Sequence, residues 1–244
     1  FVLVILTRAI PERGDAQRLA AEISLSARCD LLALVAEADI RGRFCADVDR
    51  VLLNIELFRE LCAEEGCLRS PRGFASDHSR FVYFHSPSMR SPDVEVWDDT
   101  CTELVLMSGL PGAGKDTYVR EHFGDWPIVS LDGLRDELEI DPTENQGRVL
   151  QAARERAKEL LRRKQPFVWN ATNLNKQRRS QILSLATDYH ARTRVVYVES
   201  PAATLFAQNR ARDAAVPEKV IRRMTTRWEV PSLVEAHQLV FSVR

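Results

Sequence analysis

The run Gly109-Leu110-Pro111-Gly112-Ala113-Gly114-Lys115-Asp116-Thr117 carries the clearest chemistry in this chain of 244 residues. Glycines at 109, 112 and 114 let a backbone turn its N–H groups inward, with Ala113 small enough to follow. A lysine directly after them adds an ammonium. Together these groups suit a polyphosphate. Backbone N–H groups cradle the oxygens, Lys115 meets the β- and γ-phosphates, and the helix that follows adds partial positive charge at its start. The spacing is that of a Walker A loop through the lysine. Asp116 departs from it, standing where a hydroxyl residue normally meets Mg²⁺. Two readings fit Asp116: an oxygen ligand for Mg²⁺, direct or through water, or a first-turn acid that favours the helix dipole. Thr117 is the next hydroxyl, within reach of an α-phosphate.

A second constellation follows at Val129-Ser130-Leu131-Asp132-Gly133-Leu134-Arg135. Ligands of open α/β sheets bind beyond the carboxyl ends of the strands. Asp132 falls at such an end and could take the proton of an attacking hydroxyl. It could equally be a helix N-cap. Arg135, one turn later on the same face, could hold a substrate phosphate. No Asn-Lys-x-Asp signature favours a guanine nucleotide, and no strand closes on the Asp-Glu pair of motor ATPases.

The elements that must position these groups show in the pattern of apolar residues. Short apolar runs at 104–107, 128–130, 167–170, 195–198 and 239–243 read as buried strands. Helical periods fit near 114–123, 132–139, 145–164, 175–188, 201–212 and 217–228. Alternation of this kind predicts an α/β fold: a P-loop NTPase with a parallel sheet covered by helices on both faces. Upstream, helices are expected over 15–38, with Leu19, Ile23, Leu31, Leu34 and Val35 on one face, and over 47–63, with Val51, Ile55, Phe58, Leu61 and Cys62. The expected organisation is a small all-helical module at 1–67, a linker at 68–102 that packs through Phe74, Phe81, Tyr83 and Phe84, and a P-loop domain at 103–244.

Composition bounds the rest. With 45% hydrophobic and 28% charged residues the chain can bury a core, so disordered and low-complexity classes are excluded. The longest apolar run, Phe1–Leu6, is far shorter than the roughly 20 residues a membrane helix needs, and no membrane partner is expected. A start at Phe1 rather than Met is what a fragment or processed chain would show. Of five cysteines, only Cys62 and Cys67 lie close in sequence, with no second pair at zinc spacing. Reduced thiols and a cytoplasmic location are therefore expected. Residues 1–144 hold 15 basic and 27 acidic side chains, and residues 145–244 hold 19 and 8. The basic half could attract a polyanion, or the two halves could simply balance each other.

The P-loop, Asp132-x-x-Arg135, and Ala171-Thr172-Asn173-Leu174-Asn175 followed by Arg178-Arg179 resemble the 5′-kinase domain of phage and bacterial polynucleotide kinase-phosphatases. The wider set of small P-loop kinases shares versions of these elements. Gln208-Asn209-Arg210-Ala211-Arg212, Val216-Pro217 and the stretch 221–224 are similar to the lid of that group. The resemblance covers about residues 103–243. It implies ATP and Mg²⁺ as cofactors and the 5′-hydroxyl ends of RNA or DNA as partners. Lys115 would then stabilise the transferring phosphate and Asp132 act as general base. Arg135 would contact a nucleic-acid phosphate, and Arg210, with Arg212, would close on the ATP phosphates. Thr172 and Asn173 would orient substrate or simply end a strand. Asn170 stands where many relatives carry Asp. Arg154, Arg156, Lys158, Arg162, Arg163, Lys164, Lys176, Arg178 and Arg179 could form a track for a strand or be solvated helix faces. Trp169 and Trp228 are expected in the core. A small-molecule kinase on the same core, or a nucleotide-binding module without turnover, remain as alternatives.

Residues 31–43, ending Ala38-Asp39-Ile40-Arg41-Gly42-Arg43, resemble the closing segment of an HD-type phosphohydrolase domain, in which an Asp completes a metal site. Its upstream His ligands are missing here, since no His precedes His78. Asp39 is thus a last ligand without its partners, or a helix-terminal acid.

Overall fold

A computed structural model describes residues 13–44, 46–89, 91–140, 146–212 and 215–243; the apolar run Phe1–Leu6 lies outside them. The chain divides into two compact units, one ending at Trp97 and one running from Asp98.

The first unit holds α1 (Arg13–Ser24), α2 (Cys29–Arg41), α3 (Val48–Glu64) and α4 (Asp77–His85). The single helix expected over 15–38 is therefore two. Ser24 Oγ donates to the Ala21 carbonyl at 2.7 Å, the local side-chain bond by which serine competes with helix continuation. The chain turns before Cys29 starts α2. The expected apolar face of α2 is also corrected: Leu31, Leu34 and Val35 are exposed, while Cys29, Ala33, Ala36 and Ile40 are buried. Both stripes have helical period. The small one wins because Ala and Cys admit close approach to Val51, Ile55, Phe58 and Cys62 of α3, with which they share one core. The face expected for α3 is the buried one.

Residues 68–97 fold with the first unit instead of linking two domains. Ser76 caps α4, its Oγ accepting from the Ser79 N–H at 3.0 Å. Phe74 packs on Tyr83 and Phe84 with ring centroids 5.6 and 5.8 Å away. The prolines of this stretch mask a short capped helix.

The second unit is built on β1 (Thr102–Ser108), β2 (Ile128–Ser130), β3 (Phe167–Asn170), β4 (Ala191–Glu199) and β5 (Gln238–Val243). They form one parallel sheet in the order β2-β3-β1-β4-β5. Between them run α5 (Lys115–His122), α6 (Leu131–Glu137), α7 (Gln146–Arg162), α8 (Lys176–Thr187), α9 (Ala202–Arg210) and α10 (Glu218–Thr225). Alternate residues of each strand face opposite cores. Leu104, Leu106, Phe167, Trp169 and Val195 pack with Ala153, Ala157 and Leu161 of α7 and Ile182 and Leu183 of α8. Val105, Met107, Val168, Val196 and Val198 pack with Val119 of α5, Leu205 of α9 and Ile221 of α10. Each buried Val, Leu, Ile, Met or Phe among them contributes about 1.5–3 kcal/mol. The two layers together hold the strand ends that carry the site. Ser130 is in register with Asn170, and Leu106 with Trp169, so the carboxyl ends of β1, β2 and β3 open on one edge.

Candidate active site

The loop between β1 and α5 cannot be built without its glycines. Gly109 has φ +152°, and a Cβ there would sit 2.4 Å from the Val198 carbonyl oxygen. Gly112 has φ +79°, and its Cβ would lie 2.5 Å from the Leu205 oxygen. Gly114 also lies in the left-handed region, and Ala113 is buried. The loop is thus clamped between the ends of β4 and α9, and its shape is fixed by packing.

Lys115 is only 9% exposed. Its Nζ donates to the carbonyls of Gly109 at 3.0 Å and Leu110 at 2.9 Å. Among the described residues it forms no ion pair. Burial pulls its pKa down to about 8, partly opposed by the charges of Asp116 and Asp132 and reinforced by Arg212. An ammonium bonded only to neutral carbonyls has no directly paired countercharge, so an anion entering the loop would supply one. Those observations fit a polyphosphate.

Asp116 and Asn170 meet. The Asn170 amide donates to Asp116 Oδ1 at 2.7 Å, while Asp116 Oδ2 lies 3.9 Å from Arg212. The carboxylate and the neutral polar group have exchanged places relative to the usual pattern of a hydroxyl after the lysine and an acid on the strand. One negative charge remains at the spot. Thr117 is half-buried in the next position.

Asp132 is not a helix cap. Ser130 caps α6, its Oγ accepting from the Gly133 N–H at 3.3 Å, which leaves the Asp132 carboxylate for other work. Its Oδ1 pairs with Arg135, and its Oδ2 lies 3.7 Å from Arg212. Arg212 therefore stands between Asp116 and Asp132 and draws the P-loop helix, the end of β2 and the segment after α9 into one charged cluster. Arg210, expected as the leading lid arginine, is exposed and makes no ion pair among the described residues. Arg212, just past the C-cap of α9, is the arginine that lies beside both carboxylates. Asn209 anchors this segment: its amide donates to the Val216 carbonyl at 2.7 Å and its Oδ1 accepts from the Val216 N–H at 3.1 Å.

Two expected substrate contacts take other roles. Asn173 is buried at φ +43°, with its amide donating to the Met107 carbonyl at 2.7 Å. It ties the end of β3 to β1 and does not face a substrate. Arg179, expected in a basic track, is fully buried and pairs bidentately with Glu235 at 2.7 and 3.0 Å. Its sequence signal was available, because position 179 shares a helical face with Ile182, Leu183 and Ala186. Trp169 is buried in the core on one face of the sheet, and Trp228, half-buried, packs against the core on the other. Thr172 accepts from the Gly109 N–H at 2.9 Å through its carbonyl. It lines a cleft of about 270 Å³ with Asn175, Arg178, Arg223 and Arg227. None of those arginines makes an ion pair among the described residues. Arg223 falls in the lid-like stretch 221–224, and Arg227 follows at i+4, in the turn just past α10.

In the first unit, Asp39 pairs with Arg43 at 2.8 Å. Among the described residues no His or carboxylate group assembles a metal site around it. No helix among the described residues is long and apolar enough to cross a membrane.

Fold and loop together define a P-loop nucleotide-binding domain. The family model described as AAA domain (AAA_33) matches residues 104–231, more than half of the chain, and the chain belongs to that family. It is 22% identical over 143 residues to L-seryl-tRNA(Sec) kinase of Methanococcus maripaludis. The match covers 56% of each, so the chain spans little more than half the length of that relative. Chaetomium thermophilum Kti12 in complex with ADP-AlF3 superposes with a TM-score of 0.44 at 17% identity, covering 57% of this chain and 88% of that one. The Pnkp1/Rnl/Hen1 complex does so with a TM-score of 0.42 at 20% identity, covering 48% and 41%. These two are likenesses of fold only.

Proposed function

We propose that the chain is an ATP-dependent kinase that transfers a phosphoryl group to the 5′-hydroxyl end of RNA or DNA. The observation that carries the transfer chemistry is the placement of Asp132. It is relieved of capping by Ser130, stands at the carboxyl end of β2, and is joined to the P-loop helix through Arg212. Its Oδ2, at 3.7 Å from Arg212, is beyond hydrogen-bond distance and can accept the proton of an incoming hydroxyl.

The roles then divide. Backbone N–H groups of the loop and the Lys115 ammonium bind the terminal phosphates. Asp132 takes the proton from the attacking alcohol. Arg135, bonded to the other oxygen, fixes the carboxylate's direction, and Arg212 neutralises charge on the equatorial oxygens. The donor set also fits a hard divalent cation, with Asp116 the carboxylate that would hold it and Asn170 fixing its orientation. Mg²⁺ bound there would offset charge on the phosphates.

The nucleic-acid acceptor rests on the cleft of Thr172, Arg178, Arg223 and Arg227, three guanidiniums without acidic partners beside the first glycine of the loop. Such a group suits a phosphodiester. The similar Methanococcus maripaludis protein, an L-seryl-tRNA(Sec) kinase, is named for a substrate that contains RNA. Overall charge adds little: counted by unit, residues 98–244 carry 22 basic and 20 acidic side chains. The attraction is local to the cleft.

The test is transfer from γ-labelled ATP to 5′-hydroxyl RNA and DNA oligonucleotides and to small polyols. Labelled oligonucleotide ends are expected, lost in Asp132→Asn with nucleotide binding retained. Transfer to a small metabolite alone would overturn the polymer acceptor. Nucleotide binding without transfer to any hydroxyl would overturn the kinase reading.

A further inference from the structure

We propose that Cys29, Cys62 and Cys67 form a buried trithiolate site for a thiophilic d¹⁰ cation, Zn²⁺ or Cu⁺, within the first unit. All three are buried, and their sulfurs lie within 4.8 Å of one another. Among the described residues, no other set of three metal-ligating side chains gathers in this way. The proposal is independent of the kinase reading.

The three cysteines come from separate places, and the backbone is shaped to bring them together. Cys29 opens α2, and Cys62 sits in the last turns of α3. The chain then reverses at Gly66, whose φ of +64° only glycine adopts freely. The reversal lets Cys67 N–H donate to the Cys62 carbonyl at 2.7 Å, and the next residue's carbonyl accepts from Asp30 N–H at 2.9 Å. Two backbone bonds thus lock Cys67 between the start of α2 and the end of α3. The spacing Cys-x₄-Cys with glycine before the second cysteine makes a knuckle that presents two sulfurs, while α2 supplies the third.

The dimensions suit a small soft ion. Zn–S bonds of about 2.3 Å in a tetrahedron put sulfurs about 3.8 Å apart. From separations within 4.8 Å, small side-chain rotations reach that geometry without moving the helices. Thiolates select Zn²⁺ and Cu⁺ over hard cations. Three sulfurs complete a trigonal Cu⁺ site. Zn²⁺ needs a fourth donor beyond the three thiolates. Binding releases to solvent the protons that the thiols still hold and joins both ends of the α2–α3 pair to the chain after Gly66.

The reduced full chain, stripped with a chelator, would be titrated with Zn²⁺, with Cu⁺ against a competing Cu⁺ chelator, and with Co²⁺ as a spectroscopic probe. One equivalent of Zn²⁺ or Cu⁺ should bind tightly with proton release. Co²⁺ should give sulfur charge-transfer bands. Both should be lost in Cys62→Ser and Cys67→Ser and kept in Cys101→Ser. Zn²⁺ binding with a tetrahedral Co²⁺ spectrum identifies the zinc arm; Cu⁺ binding without it identifies the copper arm. Since a serine variant can fail to fold, alkylation of the wild-type thiols in mild denaturant supplies a second readout. The bound ion should slow labelling of these three cysteines at least tenfold. Equal metal binding by Cys62→Ser, no protection by either ion, or a native disulfide between any two of the three would overturn the proposal.

Discussion

Among the described residues of the second unit two cations are buried, and their surroundings differ in kind. Arg179 at the start of α8 is fully buried, and every arm of its guanidinium is used: two bonds to Glu235, one to the Asn173 carbonyl at 3.1 Å and one to the Glu229 carbonyl at 2.8 Å. Lys115 at the start of α5 is nearly as buried, yet it meets two neutral carbonyls and no bonded carboxylate. A buried charge with its countercharge in place is part of the scaffold. A buried charge without one marks where an anion belongs. The comparison distinguishes structure from site without appeal to motif.

The first way to break it is Lys115→Met. Transfer should fall about a thousandfold or more, because the ammonium acts where charge develops. Stability should stay unchanged or rise, since an uncompensated buried charge is removed. A nucleotide-titrated activity assay with a parallel thermal melt checks both halves; a large loss of stability would place Lys115 with Arg179 as scaffold. The converse variant is Arg179→Met, which strands Glu235 and should cost about 3–5 kcal/mol of stability. Denaturant unfolding followed by tryptophan fluorescence reads this, and adding Glu235→Leu should recover much of the loss. If the single variant unfolds no more easily than wild type, the pairing is not structural.

A third variant sharpens the difference within one segment. Arg212→Ala should slow transfer about a hundredfold by removing the guanidinium shared by Asp116 and Asp132. Arg210→Ala should be nearly silent. The reverse outcome, in single-turnover kinetics, would mean that the segment after α9 rearranges when nucleotide binds.

Much of this fold is readable from sequence, and the reason is the parallel sheet. Strands buried on both faces must be continuously apolar, so β3 stands out with its observed limits; β2, at the sheet edge with Ile128 exposed, also has the limits expected for it. The loop is equally readable, because three glycines and a lysine leave few other uses. What sequence leaves open is direction. Periodicity gave α2 two stripes, and only the partner helices choose the small one. Arg178 and Arg179 look alike in sequence, but one faces the cleft and the other the core. Cys29 is 33 residues from Cys62, so no spacing rule joins them; only the turn at Gly66 and the pairing of α2 with α3 do. The Asp116–Asn170 exchange was visible as two separate departures and becomes one fact when the side chains touch.

The smallest predicted effect is a pH dependence, and it tests the same contrast in wild-type protein. Burial holds the Lys115 pKa at about 8 in the free chain, below its unfolded value near 10.4. Between these values the unfolded chain binds the extra proton. Folding stability from this group therefore rises as pH climbs from about 8, and the cost of burying the charge is fully present below that. Nucleotide binding runs the other way. Phosphate beside the ammonium raises its pKa, so binding above pH 8 takes up a proton and weakens with increasing pH. Affinity should be flat from pH 6.5 to 7.5 and then fall towards tenfold per unit above the free-chain pKa. Calorimetry in buffers of different ionisation enthalpy should show proton uptake at pH 8.5 and little at pH 7. Lys115→Arg, whose guanidinium stays charged, should remove both the slope and the uptake. A slope that survives in Lys115→Arg would move the titrating group elsewhere in the loop and end the contrast between the two buried cations.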